Sequence, residues 1–337
     1  MLKMPKYFNI PMTNFFEKKR VLITGGAGFI GSSLAQELVR QGARVTILDA
    51  LLPLYGGNLF NLEGIHDSIE FVQGDIRDEE LVESLVKGKD IIYNFAGQVS
   101  HLDSKDQPLL DLDINGRGHL IVLEAVRRHA PQAKILFSSS RMVYGKIIHT
   151  PADENHPTKP LSIYGINKLL GEMYYRYYFE TFNIDTVTVR IPTPYGPRAH
   201  MKHNKYSVAN WFLRQSLDGE VIKIYGDGTQ SRDYIYIDDV VDAFIRLGAQ
   251  GKPGEVYNLG TSEKTRLIDM VDAILKETRS GSKEHVPYPD NYVVGNFGDY
   301  VANYQKIKRD TGWEPKIDLE EGVRKTVAYY KEYRRFY

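Results

Sequence analysis

Two side chains in the middle of the chain have the types and spacing for proton chemistry on an alcohol. Tyr164 and Lys168 stand in SIYGINK, four residues apart. On a helix that spacing puts them on one face. A free phenol has a pKa near ~10 and is a poor base at neutral pH. A neighbouring ammonium favours the phenolate and lowers that value. The pair therefore predicts a proton acceptor for a hydroxyl under oxidation. Upstream, FSSSRMVYG (137–145) ends a hydrophobic run in three serines, the last being Ser140, which has the look of half an active site. Tyr-x-x-x-Lys alone is a common surface pair, so its weight depends on what else the chain carries.

That further signal is TGGAGFIG, with Gly25, Gly28 and Gly31 at three-residue spacing. Such glycines permit a tight strand-to-helix turn and close backbone approach to a diphosphate. The free N–H groups of the helix start, from Phe29 and Ile30 onward, supply the anion site. Asp49 ends the next strand, close to the ~20-residue offset expected for the acid that holds an adenosine ribose hydroxyl. A carboxylate there repels a 2′-phosphate, so NAD is expected rather than NADP. Asp75 and Ile76 follow the third strand and are placed to flank the adenine. Phe95, Ala96 and Gly97 offer small residues where a backbone passes under a cofactor.

The elements that must position these groups alternate. RVLITGG, RVTILDA, IEFVQGD, DIIYNFAG, KILFSSS and DTVTVRI read as strands. Helical patterns fall at FIGSSLAQELVRQG, near 78–86, at 111–129, and along PLSIYGINKLLGEMYYRYYFETF. This alternation predicts an α/β, Rossmann-type doubly wound parallel sheet. After Pro192 the Pro-, Gly- and base-rich RIPTPYGPRAHMKHNK reads as a loop. Smaller elements follow: a helix near 207–217, VIKIYG, SRDYIYIDDVVDAFIRLG, EVYNLG and two more helices. The expected organisation is an extension at 1–19, partly ordered through Phe15 and Phe16, a cofactor domain at 20–191, and an interleaved substrate-binding region at 192–337.

Bulk composition excludes several classes. The chain has 337 residues and balances 43 basic against 43 acidic side chains, with no footprint for nucleic acid. It has no cysteine, hence no disulfide and no thiolate chemistry. No apolar run is long enough for a membrane span, and the first 19 residues lack the apolar core of a signal peptide. A cytoplasmic location is expected. No His/Asp/Glu cluster has metal-ligand spacing, so no metal is expected.

With the glycine turn, Ser140 and Tyr164-x-x-x-Lys168 in one chain, the sequence resembles an extended short-chain dehydrogenase/reductase of the nucleotide-sugar epimerase and dehydratase type. The resemblance runs from 20 to about 333 through TGGAGFIG, GDIRD, NFAG, SSSRMVYG, YGINK, RIPTPYGPR, YGDGTQSRDYIYIDD, EVYNLG and KRDTGWEPKIDLEEG, in family order. It implies bound NAD, with Ser140 holding the sugar oxygen, Tyr164 as acid/base and a cofactor contact, and Lys168 as the catalytic partner that binds the nicotinamide ribose and tunes Tyr164. It implies a nucleotide diphosphate near Arg232, with Tyr225 by the base and Val208 opening the helix that lines the nucleotide. It also implies a homodimer through helices near 111–129 and 162–181.

The residues after Ser140 narrow the expected reaction. Dehydratases of this type resemble one another in carrying Asp-Glu or a similar pair there, for loss of water across C5 and C6. Here Arg141 and Met142 stand in those places, and methionine has no proton to exchange. Dehydration is disfavoured, and decarboxylation is doubtful although RIPTPYGPRAHM is close to the decarboxylase branch. A C4 epimerase, acting on a UDP-sugar through a transient 4-keto intermediate, needs only Ser140, Tyr164 and NAD. A C4 dehydrogenase or ketoreductase uses the same residues, and a non-catalytic NAD sensor is the remote alternative. Arg141 is a candidate for a carboxylate or phosphate on the sugar. Thr193 stands where the family often has Asn, and offers fewer donors. His101, His200 and His203 are expected to be structural or surface residues.

Overall fold

The computed structural model describes residues 14–53, 55–288 and 298–337. Six apolar runs form strands: β1 (Arg20–Thr24), β2 (Arg44–Asp49), β3 (Ile69–Gln73), β4 (Ile91–Asn94), β5 (Lys134–Ser140) and β6 (Thr186–Ile191). Beyond them lie β7 (Thr193–Tyr195), β8 (Val221–Tyr225), β9 (Ser231–Arg232), β10 (Tyr234–Tyr236) and β11 (Glu255–Asn258). Seven strands make one parallel sheet in the order β11-β6-β5-β4-β1-β2-β3. The strand order reverses between β1 and β4, and ligands of such sheets bind outside the carboxyl ends at that switch.

Side-chain alternation sends the strands into two helical layers. Val21 and Ile23 pack on one face with Leu34, Leu38, Val240 and Phe244. Leu22, between them, packs on the other with Val122, Val126 and Tyr175. Leu22 is essentially buried, so its truncation to alanine costs about 2–5 kcal/mol. The first layer includes the helices Phe29–Arg40 and Ile237–Gln250, which contact each other. Residues past Pro192 thus return to the first layer, and β11 extends the sheet by pairing Val256 with Thr188.

The structure departs from the sequence reading in three places. RIPTPYGPRAHMKHNK is not all loop, because β7 forms within it and pairs in parallel with β10. Pro194 is tolerated in a strand of three residues whose neighbour Thr193 donates its N–H to the Asp233 carbonyl (3.1 Å). Among the described residues, three α-helices rather than two follow β11, at Leu267–Thr278, Gln305–Thr311 and Leu319–Tyr333. The helix read at 111–129 starts at Pro108 and passes through a π-helical stretch, Asp113–Gly118, before resuming at His119–His129. Such stretches are frequent at functional sites, and this one turns the Asn115 side chain inward to donate to the Gln98 carbonyl (2.9 Å).

Residues 1–13 of the expected extension lie outside the described residues. Phe16 is buried and meets Phe15 edge to face at 4.9 Å. Among the described residues, no helix is long and apolar enough to cross a membrane. Among them also, no group of three or more His, Cys, Asp or Glu is placed to hold a metal.

Candidate active site

A cleft of about 1600 Å³ opens at the carboxyl ends of the strands. Its floor is the glycine turn after β1. Gly25 has φ +67°, a left-handed conformation, and a Cβ there would sit 2.8 Å from the Ala96 nitrogen. A Cβ on Gly31 would sit 2.3 Å from the Gly25 carbonyl oxygen. The turn is therefore closed to side chains and exposes bare backbone ahead of the helix at Phe29, a cradle that fits a dinucleotide diphosphate. Phe29, Ile30, Asp75, Ile76, Phe95, Ala96 and Gly97 line the same cleft. Asp75 is held by the Arg77 guanidinium (2.7 Å), which keeps its carboxyl below the usual range.

Asp49 ends β2 at the cleft wall. Its Oδ2 accepts from the Ala27 N–H and its Oδ1 from the Leu51 N–H, both at 2.9 Å. Burial raises its pKa, opposed by these two bonds. Each oxygen keeps a lone pair free, so one carboxylate both braces the glycine turn and remains able to accept ribose hydroxyls.

The three serines ending β5 face different partners. The Ser138 carbonyl accepts from Lys168 Nζ (2.9 Å). The Ser139 hydroxyl donates to Glu172 (2.5 Å), which pairs in the interior with Arg190 of β6 (2.6 Å). Only the Ser140 hydroxyl turns towards Tyr164, and it also accepts from the Met142 N–H (3.3 Å). Strand pleat explains the alternation, and the Glu172–Arg190 pair locks β5, β6 and the helix Ile163–Phe182 together. Gly165 lets that helix abut the serine turn, since a Cβ would lie 2.7 Å from the Met142 carbonyl oxygen.

The electrostatics of the Tyr-Lys pair differ from the sequence expectation. The Tyr164 phenol is pushed up to about 12, chiefly by burial, although the Ser140 hydrogen bond pulls it down. Lys168 is pushed down to about 8 by burial, opposed by the charges of Asp111 and Glu172. Helical spacing brings the two together, with Nζ 5.8 Å from the Tyr164 ring centroid. Desolvation in the protein alone outweighs what lowers the phenol, the Ser140 hydrogen bond and the Arg141 charge. Asp111, absent from the sequence reading, is fully buried, accepts from Asn167 (2.7 Å), and leaves its second oxygen without a partner. A carboxylate on the inner face of a helix carries no motif that would have singled it out.

Arg141, Thr193, Val208, Tyr225 and Arg232 line the remainder of the cleft with His101 and His200. Tyr225 stacks on Tyr288 (5.9 Å). Val208 opens the helix Val208–Leu217, capped by the Ser207 hydroxyl. Met142 is largely buried and also lines the cleft. All the residues that the sequence singled out for cofactor, catalysis and substrate thus face one cavity. Among its described lining residues the only carboxylates are Asp49 and Asp75, both at the glycine-turn end.

This fold and site define a dinucleotide-dependent enzyme of the epimerase and dehydratase class. A family model described as GDP-mannose 4,6 dehydratase matches residues 22–326. A putative UDP-glucose 4-epimerase of Methanocaldococcus jannaschii is 34% identical over 94% of this chain and 99% of its own. The structure of Thermotoga maritima UDP-glucose 4-epimerase with UDP-glucose superposes with a TM-score of 0.86, at 31% identity over 94% of this chain and 99% of that one. That of Streptomyces venezuelae dTDP-glucose 4,6-dehydratase with NAD also reaches 0.86, at 28% identity over 94% and 98%. The chain belongs to the extended short-chain dehydrogenase/reductase family of NAD-dependent epimerases and dehydratases, and it binds NAD.

Proposed function

We propose that the protein is a nucleotide-sugar C4 epimerase, with a UDP-sugar as substrate. The observation that carries this reading is the absence of any carboxyl group at the reacting end of the cleft, among its described lining residues. Loss of water across a sugar carbon–carbon bond needs an acid and a base beside Ser140. Arg141 and Met142 supply neither. Apart from the reversible hydride exchange that bound NAD would supply, epimerisation needs only one proton to leave an oxygen and return to it.

In this mechanism Ser140 holds the 4-hydroxyl and Tyr164 takes its proton. Bound NAD supplies a reversible hydride acceptor and a positive ring whose charge favours the Tyr164 phenolate. Gly25, Gly28 and Gly31 bare the backbone that receives the cofactor diphosphate, and Asp49 accepts its ribose hydroxyls. Lys168, anchored on the Ser138 carbonyl, holds the second ribose and adds positive charge near the phenolate. The sugar turns over as a 4-keto species, and Tyr164 returns the proton when the C4 hydrogen has been restored on the other face. Arg232 receives the nucleotide diphosphate, Tyr225 and Val208 flank the nucleotide, and Thr193 borders the sugar. Exposed Ile166, Met173 and Tyr177 on the long helix, with Leu109 and Leu112, support a homodimer through that face.

The test is proton NMR of the purified protein with a panel of UDP-, GDP-, CDP- and dTDP-sugars and no added NAD. Equilibration of one sugar with its C4 epimer is expected. Stoichiometric keto product that requires added NAD would move the assignment to a C4 dehydrogenase or ketoreductase. A 4-keto-6-deoxy sugar or a pentose would move it to dehydratase or decarboxylase chemistry.

A further inference from the structure

The cleft wall beyond Ser140 carries two arginines, Arg141 and Arg232, that form no ion pair among the described residues. Arg141 lies directly after Ser140 and faces the cavity, its guanidinium 5.6 Å from the Tyr300 ring centroid. Among the described residues, no Asp or Glu comes within 4.0 Å of it. Asp233, the one carboxylate whose charge favours its protonated form, has its oxygens taken by Thr261 and Ala302. Arg232 faces the same space; it donates to the Ser231 and Gly298 carbonyls (2.8 and 3.4 Å), and its charge also acts on Asp299. The two guanidiniums repel each other, and both hold His101 towards its neutral form. Burial and this repulsion push Arg141 down to about 10.

Elsewhere the protein pairs its buried arginines, as Arg190 is paired with Glu172. A desolvated guanidinium without a partner is costly, so Arg141 beside this cavity marks a place for an anion from outside. The nucleotide diphosphate answers Arg232. Arg141 is a different anchor, because it adjoins the serine that holds the reacting hydroxyl. Its charge acts on the Tyr164 phenol, and both side chains line one cavity, so its guanidinium lies on the sugar side of the cleft.

We infer that Arg141 recognises a carboxylate on the sugar itself, which makes the substrate class a nucleotide diphosphate sugar bearing a carboxylate. This rests on the C4-epimerase reading of the cleft and names the sugar class for it. A planar guanidinium matches a carboxylate by two parallel N–H···O bonds, and a neutral hydroxymethyl group leaves it unanswered.

The experiment is calorimetric titration of UDP-glucuronate and of UDP-glucose into the Tyr164→Phe protein, where turnover does not blur binding. The uronate is expected to bind tighter by about tenfold to a hundredfold, the scale of one charge-assisted hydrogen bond. Adding Arg141→Gln should collapse that ratio towards one, and Arg141→Lys should restore part of it. No preference for the uronate, whatever the absolute affinities, overturns the inference. So does an equal weakening of both ligands by Arg141→Gln, which would place Arg141 on the diphosphate. Selective uronate binding by a wild-type protein that forms no C4 epimer leaves Arg141's role standing and removes the epimerase reading instead.

Discussion

Replacing Tyr164 with phenylalanine separates chemistry from architecture. The substitution removes one oxygen and keeps the ring that fills the site between Ser140 and Lys168. The hydroxyl's protein partner is Ser140, so the loss of one hydrogen bond changes stability by about 1 kcal/mol. For a chain of this size the melting temperature should move by at most about 2–4 °C. Turnover should fall by about 10²-fold or more, because the proton of the sugar hydroxyl then has no acceptor. That factor is about 2.7 kcal/mol of barrier. The substitution leaves the glycine turn and Asp49 untouched, so NAD released on denaturation should still match the wild-type amount. The assay is epimer formation by NMR, with NAD content and thermal melting measured on the same preparation. Near-full turnover would remove Tyr164 from the mechanism. Loss of NAD together with activity would show that the hydroxyl serves the cofactor site rather than proton transfer.

Gly31→Ala should show the opposite pattern, a protein that has lost NAD, since its Cβ would press on the Gly25 carbonyl oxygen at 2.3 Å; full NAD content would refute the close-approach argument. Lys168 has a folded-state pKa of about 8, so kcat/KM should fall as pH rises through about 8, and Lys168→Arg should remove that break; a flat profile from about pH 7 to about 9.5 would contradict it. Stability should respond with the opposite sign, because between about 8 and 10.5 the unfolded chain binds the Lys168 proton that the folded chain has released, and folding gains as pH rises. Glu172→Gln should cost about 3–5 kcal/mol in denaturant titration by leaving Arg190 buried without its partner; a loss under about 1 kcal/mol would mean that the pair contributes little to holding β5 and β6.

Much of this protein was decided along the chain. Alternating Val21, Leu22 and Ile23 dictate a strand buried on both faces. Glycines at 25, 28 and 31 dictate a bare turn, and the spacing of Tyr164 and Lys168 dictates a shared helix face. These are local consequences of backbone sterics and helix or strand period, which need no partner. The tertiary structure decided whatever depends on what surrounds a group. It divided the three serines between a carbonyl anchor, a buried ion pair and the cleft. It raised the Tyr164 phenol where spacing with Lys168 predicts a fall, because burial in the folded protein is a property of packing and not of spacing. It brought Asp111 beside Lys168 through a helix whose π-helical turn no residue pattern announced. It also set Arg141 and Arg232 at one cavity from segments far apart in sequence, where neither forms an ion pair among the described residues, since desolvation and charge balance exist only once distant segments have met.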